Sequence, residues 1–198
     1  MAEQRKIAIP SFEIVKHERE RLKKRKLVKR KLTGFFELLI VIAAVAVIVA
    51  TRYLPVLQIS GFSMEPTLEE GEIVVLVKTQ DVKAGDIVGF YHQNKILIKR
   101  IIGNPGDLID IKDDGTVTVN GVDLEEPYIT KLDKGKCDVS LPCQVPQGQY
   151  FVMGDHRATS ADSRISEIGC VPKEQLVGKV KFRIWPLQRV KVFNKESQ

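Results

Sequence analysis

Two hydrophobic patterns divide this chain. From Leu38 to Ala50 the run LLIVIAAVAVIVA is apolar without interruption, and Gly34 to Phe36 before it and Tyr53 to Leu57 after it extend the run towards the roughly 20 residues that a bilayer core demands. This predicts one membrane-spanning helix over residues 34–55, with Glu37 and Arg52 near the two interfaces, where charges are tolerated. From Ile73 onward the pattern changes to short runs rich in Val, Ile, Phe and Tyr: EIVVLV, DIVGFY, KILIKRII, LIDIK, TVTV and QYFVM, each bounded by Gly, Pro, Asp or Asn. These are strands separated by turns. The expected fold is therefore an all-β body of mainly antiparallel sheets over residues 56–198, behind one N-terminal transmembrane helix.

Turn chemistry adds detail to that body. Asp114-Gly115 and Asn120-Gly121 flank TVTV with type I′ hairpin signals, predicting an antiparallel meander over residues 108–124. In Asn104-Pro105-Gly106-Asp107, Pro and Gly stand where a type II turn wants them. The stretch from Glu125 to Gly148 shows no regular period and reads as a long loop or small insert.

Charge matters only when it is divided along the chain. The formal net charge of +6 comes from residues 1–33, which hold twelve Lys/Arg against four Glu, while the remainder holds nineteen basic and twenty-one acidic side chains. A body with net charge -2 lacks the footprint of a nucleic-acid binder, so no nucleic-acid partner is expected. The basic run Arg21 to Lys31 directly precedes the apolar run, an order that places residues 1–33 in the cytoplasm as a tail and the body on the extracytoplasmic side of the plasma membrane. Ala44-Val45-Ala46 could belong to a cleavable signal, but a charged leader of more than thirty residues is too long for one, which favours an uncleaved anchor in the lipid bilayer. In an oxidising compartment Cys137 and Cys143, six residues apart, are expected to form a disulfide with Cys170 free. The Cys and His spacing suggests no metal site, and no cofactor is implied.

Three segments carry candidate chemistry, and each is ambiguous alone. Ser63 lies between Gly61 and Pro66 just past the anchor, where it could equally serve as a turn or cap residue. In KILIKRII, Lys99 and Arg100 stand inside a run that is apolar on both faces and so predicts a doubly buried strand. Alternation puts Lys99 on the face of Leu97 and Ile101, with Arg100 opposite. A Lys among aliphatic groups loses hydration of its charged form and becomes a neutral base near physiological pH, whereas Arg cannot and needs a carboxylate. On an edge strand both cations could instead snorkel to water. The third segment, GDHRATSADSR, packs Asp155, Arg157, Asp162 and Arg164 around Ser160 and Ser163. It could be only a loop held by ion pairs, or it could supply the carboxylate for Arg100 and a hydroxyl for Lys99. A nucleophile, a base of depressed pKa and an orienting hydroxyl form the Ser-Lys variant of the catalytic triad.

Taken together and in order, SMEPTL, DIVGFY with KRIIGNPGD, and GDHRATSADSR closely resemble the type I signal peptidases. The resemblance implies a serine endopeptidase with Ser63 as acylated nucleophile, Lys99 as general base and Ser160 as the hydroxyl that fixes Lys99. It further implies that Asp155 pairs with Arg100 and Asp162 with Arg164 as scaffolding. Its substrates would be secretory preproteins, cut after small-x-small sequences. Two positions depart from the common pattern: Gly61 stands where many members have a Ser that helps the oxyanion hole, and His156 stands where an Asn is usual. The hole here should then lean on backbone N–H groups, chiefly that of Ser63.

Overall fold

The computed structural model describes residues 12–193. The first eleven residues of the basic tail and the last five of the chain lie outside the described residues. The chain falls into two units, Met1–Ala50 and Thr51–Gln198.

The described part of the N-terminal unit is helical, belonging to α1, Phe12–Tyr53, 42 residues long, whose last three residues fall in the second unit. The basic segment, read from sequence only as a tail, is therefore helical and continuous with the apolar run. Its Lys, Arg, Leu and Glu residues are strong helix formers, and no proline interrupts them before Pro55. The apolar part is long enough to cross a membrane, and its side chains are unburied by the protein.

Among the described residues the second unit is mainly strand and turn, with two short 3-10 helices, Lys173–Gln175 and Leu187–Arg189. In chain order it comprises β1 (Val56–Gln58), β2 (Ile73–Val77), β3 (Ile87–His92), β4 (Lys95–Gly103), β5 (Leu108–Ile111), β6 (Val117–Val119), β7 (Val122–Asp123), β8 (Cys143–Gln144), β9 (Gln149–Met153), β10 (Val171–Pro172), β11 (Leu176–Trp185) and β12 (Lys191–Val192). One sheet runs β1-β2-β11-β3-β4-β9-β10, with β12 beside β11, and a smaller one runs β7-β6-β5-β8. Every pairing is antiparallel. All six predicted strands are present. The longest strand, β11, was not among them, although it sits between β2 and β3 at the centre of the large sheet. Its LVGKVKFRIW alternates charged with apolar residues and includes Gly178, so no short, clean apolar run marks it.

Register and turns follow the residues. The meander β5-β6-β7 forms as expected. Asn120 and Gly121 both take positive φ, as a type I′ turn requires. At the other end only Gly115 does, with Gly115 N–H donating to the Lys112 carbonyl, so this connection is a longer loop rather than a two-residue hairpin. Asp107 N–H donates to the Asn104 carbonyl, with Gly106 at φ +90°, which is the predicted type II turn.

Three apolar clusters fill the body. Ile59, Met64, Leu76 and Val180 anchor one; Val88, Phe90, Ile101 and Val152 the second; Ile109, Val117, Phe151 and Met153 the third, under the small sheet. One expectation is corrected here. All three cysteines are free, and Cys143 lies against Cys170 rather than Cys137. Strand β8 carries Cys143 onto the third apolar cluster, where Cys170 also packs, while the neighbouring Asp138 N–H ties the Cys137 segment to the Arg164 carbonyl.

Candidate active site

Ser63 sits in the tight turns between β1 and β2, a segment rich in Gly and Pro that cannot continue a strand. Gly61, two residues earlier, holds φ +88°, a conformation that an L side chain adopts only with strain. Lys99 lies mid-way along β4, paired with Val88 of β3. Its Nζ reaches across to Ser63 Oγ at 2.7 Å.

The surroundings of Lys99 give that contact its meaning. The residue is 3% exposed, and among the described residues it forms no ion pair. Burial lowers its pKa to about 8, against a smaller opposing pull from the carboxylates of Asp162 and Asp155. A large fraction of the amine is thus neutral at mildly alkaline pH. The run from Ile96 to Ile102 was expected to be buried on both faces. Instead Lys95 is exposed and Ile96, Leu97 and Ile98 are half-buried, with full burial beginning at Lys99. The cause is topological: β9 pairs with β4 only from Arg100 to Gly103, so the edge of the first half has no partner strand. A cleft of about 130 Å³ opens there, between β1 and that half of β4, with Ser63 and Lys99 in its lining.

Arg100, the next residue, is bound in quite another way. It is 1% exposed, and its Nε and Nη2 donate to Asp155 at 2.9 and 2.7 Å, while Nη1 donates to the Gly85 carbonyl. The Asp155 pairing expected from the resemblance is present. So is the second: Arg164 Nε and Nη2 donate to Asp162 at 2.9 and 2.8 Å, with both side chains fully buried. Asp162 also accepts from Gly154 N–H at 2.9 Å, and Ser163 Oγ accepts from Val152 N–H. The loop 154–164 is thereby sewn to the end of β9.

Ser160 differs from its neighbours. Its Oγ is buried and, among the described residues, has no hydrogen-bond partner, so the bond to Lys99 that the resemblance implies is not formed. The hydroxyl stands beside Gly154, where an added Cβ would collide both with it and with the Ser63 carbonyl oxygen. That carbonyl accepts the backbone N–H of His156 at 3.1 Å. The His156 ring is occupied elsewhere, its Nδ1 lying 2.7 Å from Thr159 Oγ1. Position 156 therefore touches the nucleophile turn through its backbone.

Comparison with known proteins now bears on this geometry. The sequence profile described as "Signal peptidase, peptidase S26" matches residues 32–185, well over half the chain. The chain belongs to that family. Signal peptidase I T of Bacillus subtilis is 39% identical over 146 residues, covering 67% of this chain and 75% of that protein. Signal peptidase IB of Staphylococcus aureus (strain MRSA252) is 38% identical over 160 residues, covering 70% and 82%. A crystal structure of a signal peptidase I from Enterococcus faecalis V583 is 30% identical, covers 50% of this chain and 96% of that one, and superposes with a TM-score of 0.41. Membership of the S26 peptidases makes this chain a serine endopeptidase, with an N-terminal helix suited to membrane anchoring.

For this S26 member, sequence reading missed two residues beside the site. Glu126 receives Arg157 Nη1 at 2.9 Å and the Tyr128 hydroxyl at 2.7 Å, and the Arg100 guanidinium lies over the Tyr128 ring, 3.8 Å from its centroid. Burial, with the nearby Glu126 charge, drives the Tyr128 phenol far above its ordinary pKa, so it remains a donor throughout the working range. Glu126-Pro127-Tyr128 thus clamps the strand bearing Lys99 to the loop bearing Ser160. The segment carries no strand or helix period, and only the three-dimensional contacts reveal it.

Proposed function

We propose that this chain is a membrane-anchored signal peptidase that cleaves secretory preproteins through an acyl-enzyme on Ser63, with Lys99 as general base. The observation that carries the reading is the 2.7 Å contact between Ser63 Oγ and a buried Lys99 whose pKa is lowered to about 8. With the amine neutral, Lys99 takes the Ser63 proton as Oγ attacks the scissile carbonyl. The resulting ammonium returns that proton to the departing amine, which leaves an ester on Ser63. Lys99, neutral again, then activates the water that hydrolyses the ester. Backbone N–H groups, chiefly that of Ser63, face the developing oxyanion. In this reading Ser160 Oγ, which has no partner among the described residues, bonds Lys99 once substrate tightens the site, since catalytic hydrogen bonds often form only in the substrate complex.

The cleft supports the substrate class. An extended peptide can pair its backbone along the open edge beside Ile96 to Ile98, the mode of strand addition. The cleft of about 130 Å³ is lined by Ser63 and Lys99, so side chains next to the scissile bond would lie in it. The basic half of α1 before its apolar half supports a tail in the cytoplasm and a body outside, with the apolar half in the lipid bilayer. The test is cleavage of a generic preprotein by the full chain in detergent, with the cut site read by mass spectrometry. Cleavage after small-x-small that is lost in Ser63→Ala supports the reading, and cleavage that persists in Ser63→Ala removes it. Protease added outside spheroplasts should digest residues 60–193 and spare the tail; protection of the body would reverse the orientation.

A further inference from the structure

The two half-buried thiols that the fold brings together play no part in the chemistry above. Cys143 lies on β8 of the small sheet, opposite Ile109, and Cys170 immediately precedes β10, whose Val171 pairs with Tyr150 of β9 in the large sheet. They are 27 residues apart in the chain, yet both pack against the third apolar cluster, close enough that the Cys143 sulfur acts on the Cys170 thiol. Each retains some exposure to solvent, so an oxidant can reach the pair. Cys170 also closes the loop that carries Asp155, Ser160, Asp162 and Arg164.

We propose that Cys143 and Cys170 form a disulfide that ties the small sheet to the end of the Ser160 loop, with Cys137 left as a free thiol. Formation in the cell rests on the extracytoplasmic placement proposed above, because that compartment sustains disulfides. The oxidant is a small-molecule or protein disulfide. A thiolate of the pair attacks one of its sulfurs and expels the other as a thiol, and the second cysteine then displaces the mixed disulfide. One S–S bond is broken and one made, and the two electrons of the cysteine pair leave on the oxidant, which becomes two thiols. Burial, with the adjacent Cys143 sulfur, pushes the Cys170 thiol up to about 12, which disfavours Cys170 as the first attacking thiolate. The closed loop encloses the whole Ser160 segment and removes much of its freedom in the unfolded chain.

The full chain is to be purified in detergent from cells whose thiols are blocked at lysis, and mapped by non-reducing peptide mass spectrometry. A second sample is exposed to glutathione disulfide. The expected result is a Cys143–Cys170 linked peptide with Cys137 alkylated, retained in Cys137→Ser and absent from both Cys143→Ser and Cys170→Ala. Reduction should lower the Tm of the parent and of Cys137→Ser by about 5 to 10 °C, and leave Cys143→Ser unmoved. Three alkylated cysteines after glutathione disulfide treatment, or a bridge that includes Cys137, would overturn the proposal. Preprotein cleavage is followed on the same samples. A bridged but inactive protein would defeat the proposed function alone, and an active protein that cannot be bridged would defeat the disulfide alone.

Discussion

Lys99 and Arg100 are adjacent cations on one strand, both almost wholly buried, and they are treated in opposite ways. Every face of Arg100 is occupied: a bidentate carboxylate, a backbone carbonyl, and the Tyr128 ring. Lys99 has a single hydroxyl partner, and the nearby carboxylates stay outside ion-pair range. The first arrangement fixes a permanent charge and makes it structural. The second leaves a charge poorly supported, so its proton is easily lost. The proposed base and a structural cation are thus adjacent residues because alternation along a strand sends neighbouring side chains to different environments.

The most severe way to break this contrast is to make Lys99 resemble its neighbour. Lys99→Arg keeps a cation that cannot deprotonate in the working range, so cleavage of a preprotein should fall by about 10⁴-fold or more, to background. In the parent, the rate should rise with pH along a limb centred near 8, where burial has placed the amine. Substantial cleavage by Lys99→Arg would refute Lys99 as base.

Removing the partner of Arg100 should damage the scaffold instead. Asp155→Asn leaves a buried guanidinium without its carboxylate, and denaturant unfolding should show a loss of about 3–5 kcal/mol. Little change would mean that Thr67 and the Gly85 carbonyl suffice to hold the charge.

Deleting the ill-supported amine should act in the reverse sense. The folded-state pKa of Lys99 lies below its unfolded value of 10.5, so the unfolded chain binds the extra proton and this group costs stability at pH 7. The cost fades as pH rises from about 8 through 10.5. Lys99→Met should therefore stabilise the body at pH 7 by up to about 3 kcal/mol while abolishing cleavage, and its advantage should shrink at pH 10. A variant less stable than the parent at pH 7 would show that the Ser63 contact outweighs desolvation. The smallest effect belongs to His156→Asn: the His156 ring bonds Thr159 and only the backbone reaches Ser63, so the limb near 8 should stay in place and stability should shift by no more than about 0.5 kcal/mol. Loss of the limb would move the base from Lys99 to His156.

The strands that carry the site could be read from sequence because each is a short apolar run closed by turn residues, and DIVGFY, KILIKRII and QYFVM became β3, β4 and β9. That Arg100 needs a carboxylate was legible too, since a charge inside an apolar run must find a counter-charge, whereas its pairing with Asp155 and that of Arg164 with Asp162 came from the family resemblance. The helix was seen only in its apolar half, where hydropathy signals it; the basic half gives no such signal and is helical by propensity. Strand β11 escaped because its partners on both sides, not its own pattern, hold it in the sheet. The tertiary structure alone decided three matters. It left half of the β4 edge unpaired, it placed Glu126 and Tyr128 between the strand and the loop, and it brought Cys143 to Cys170 rather than to Cys137. Each depends on contacts between segments far apart in the chain. Local residue preference has no means of encoding them, because the free energy that selects them resides in which surfaces finally meet.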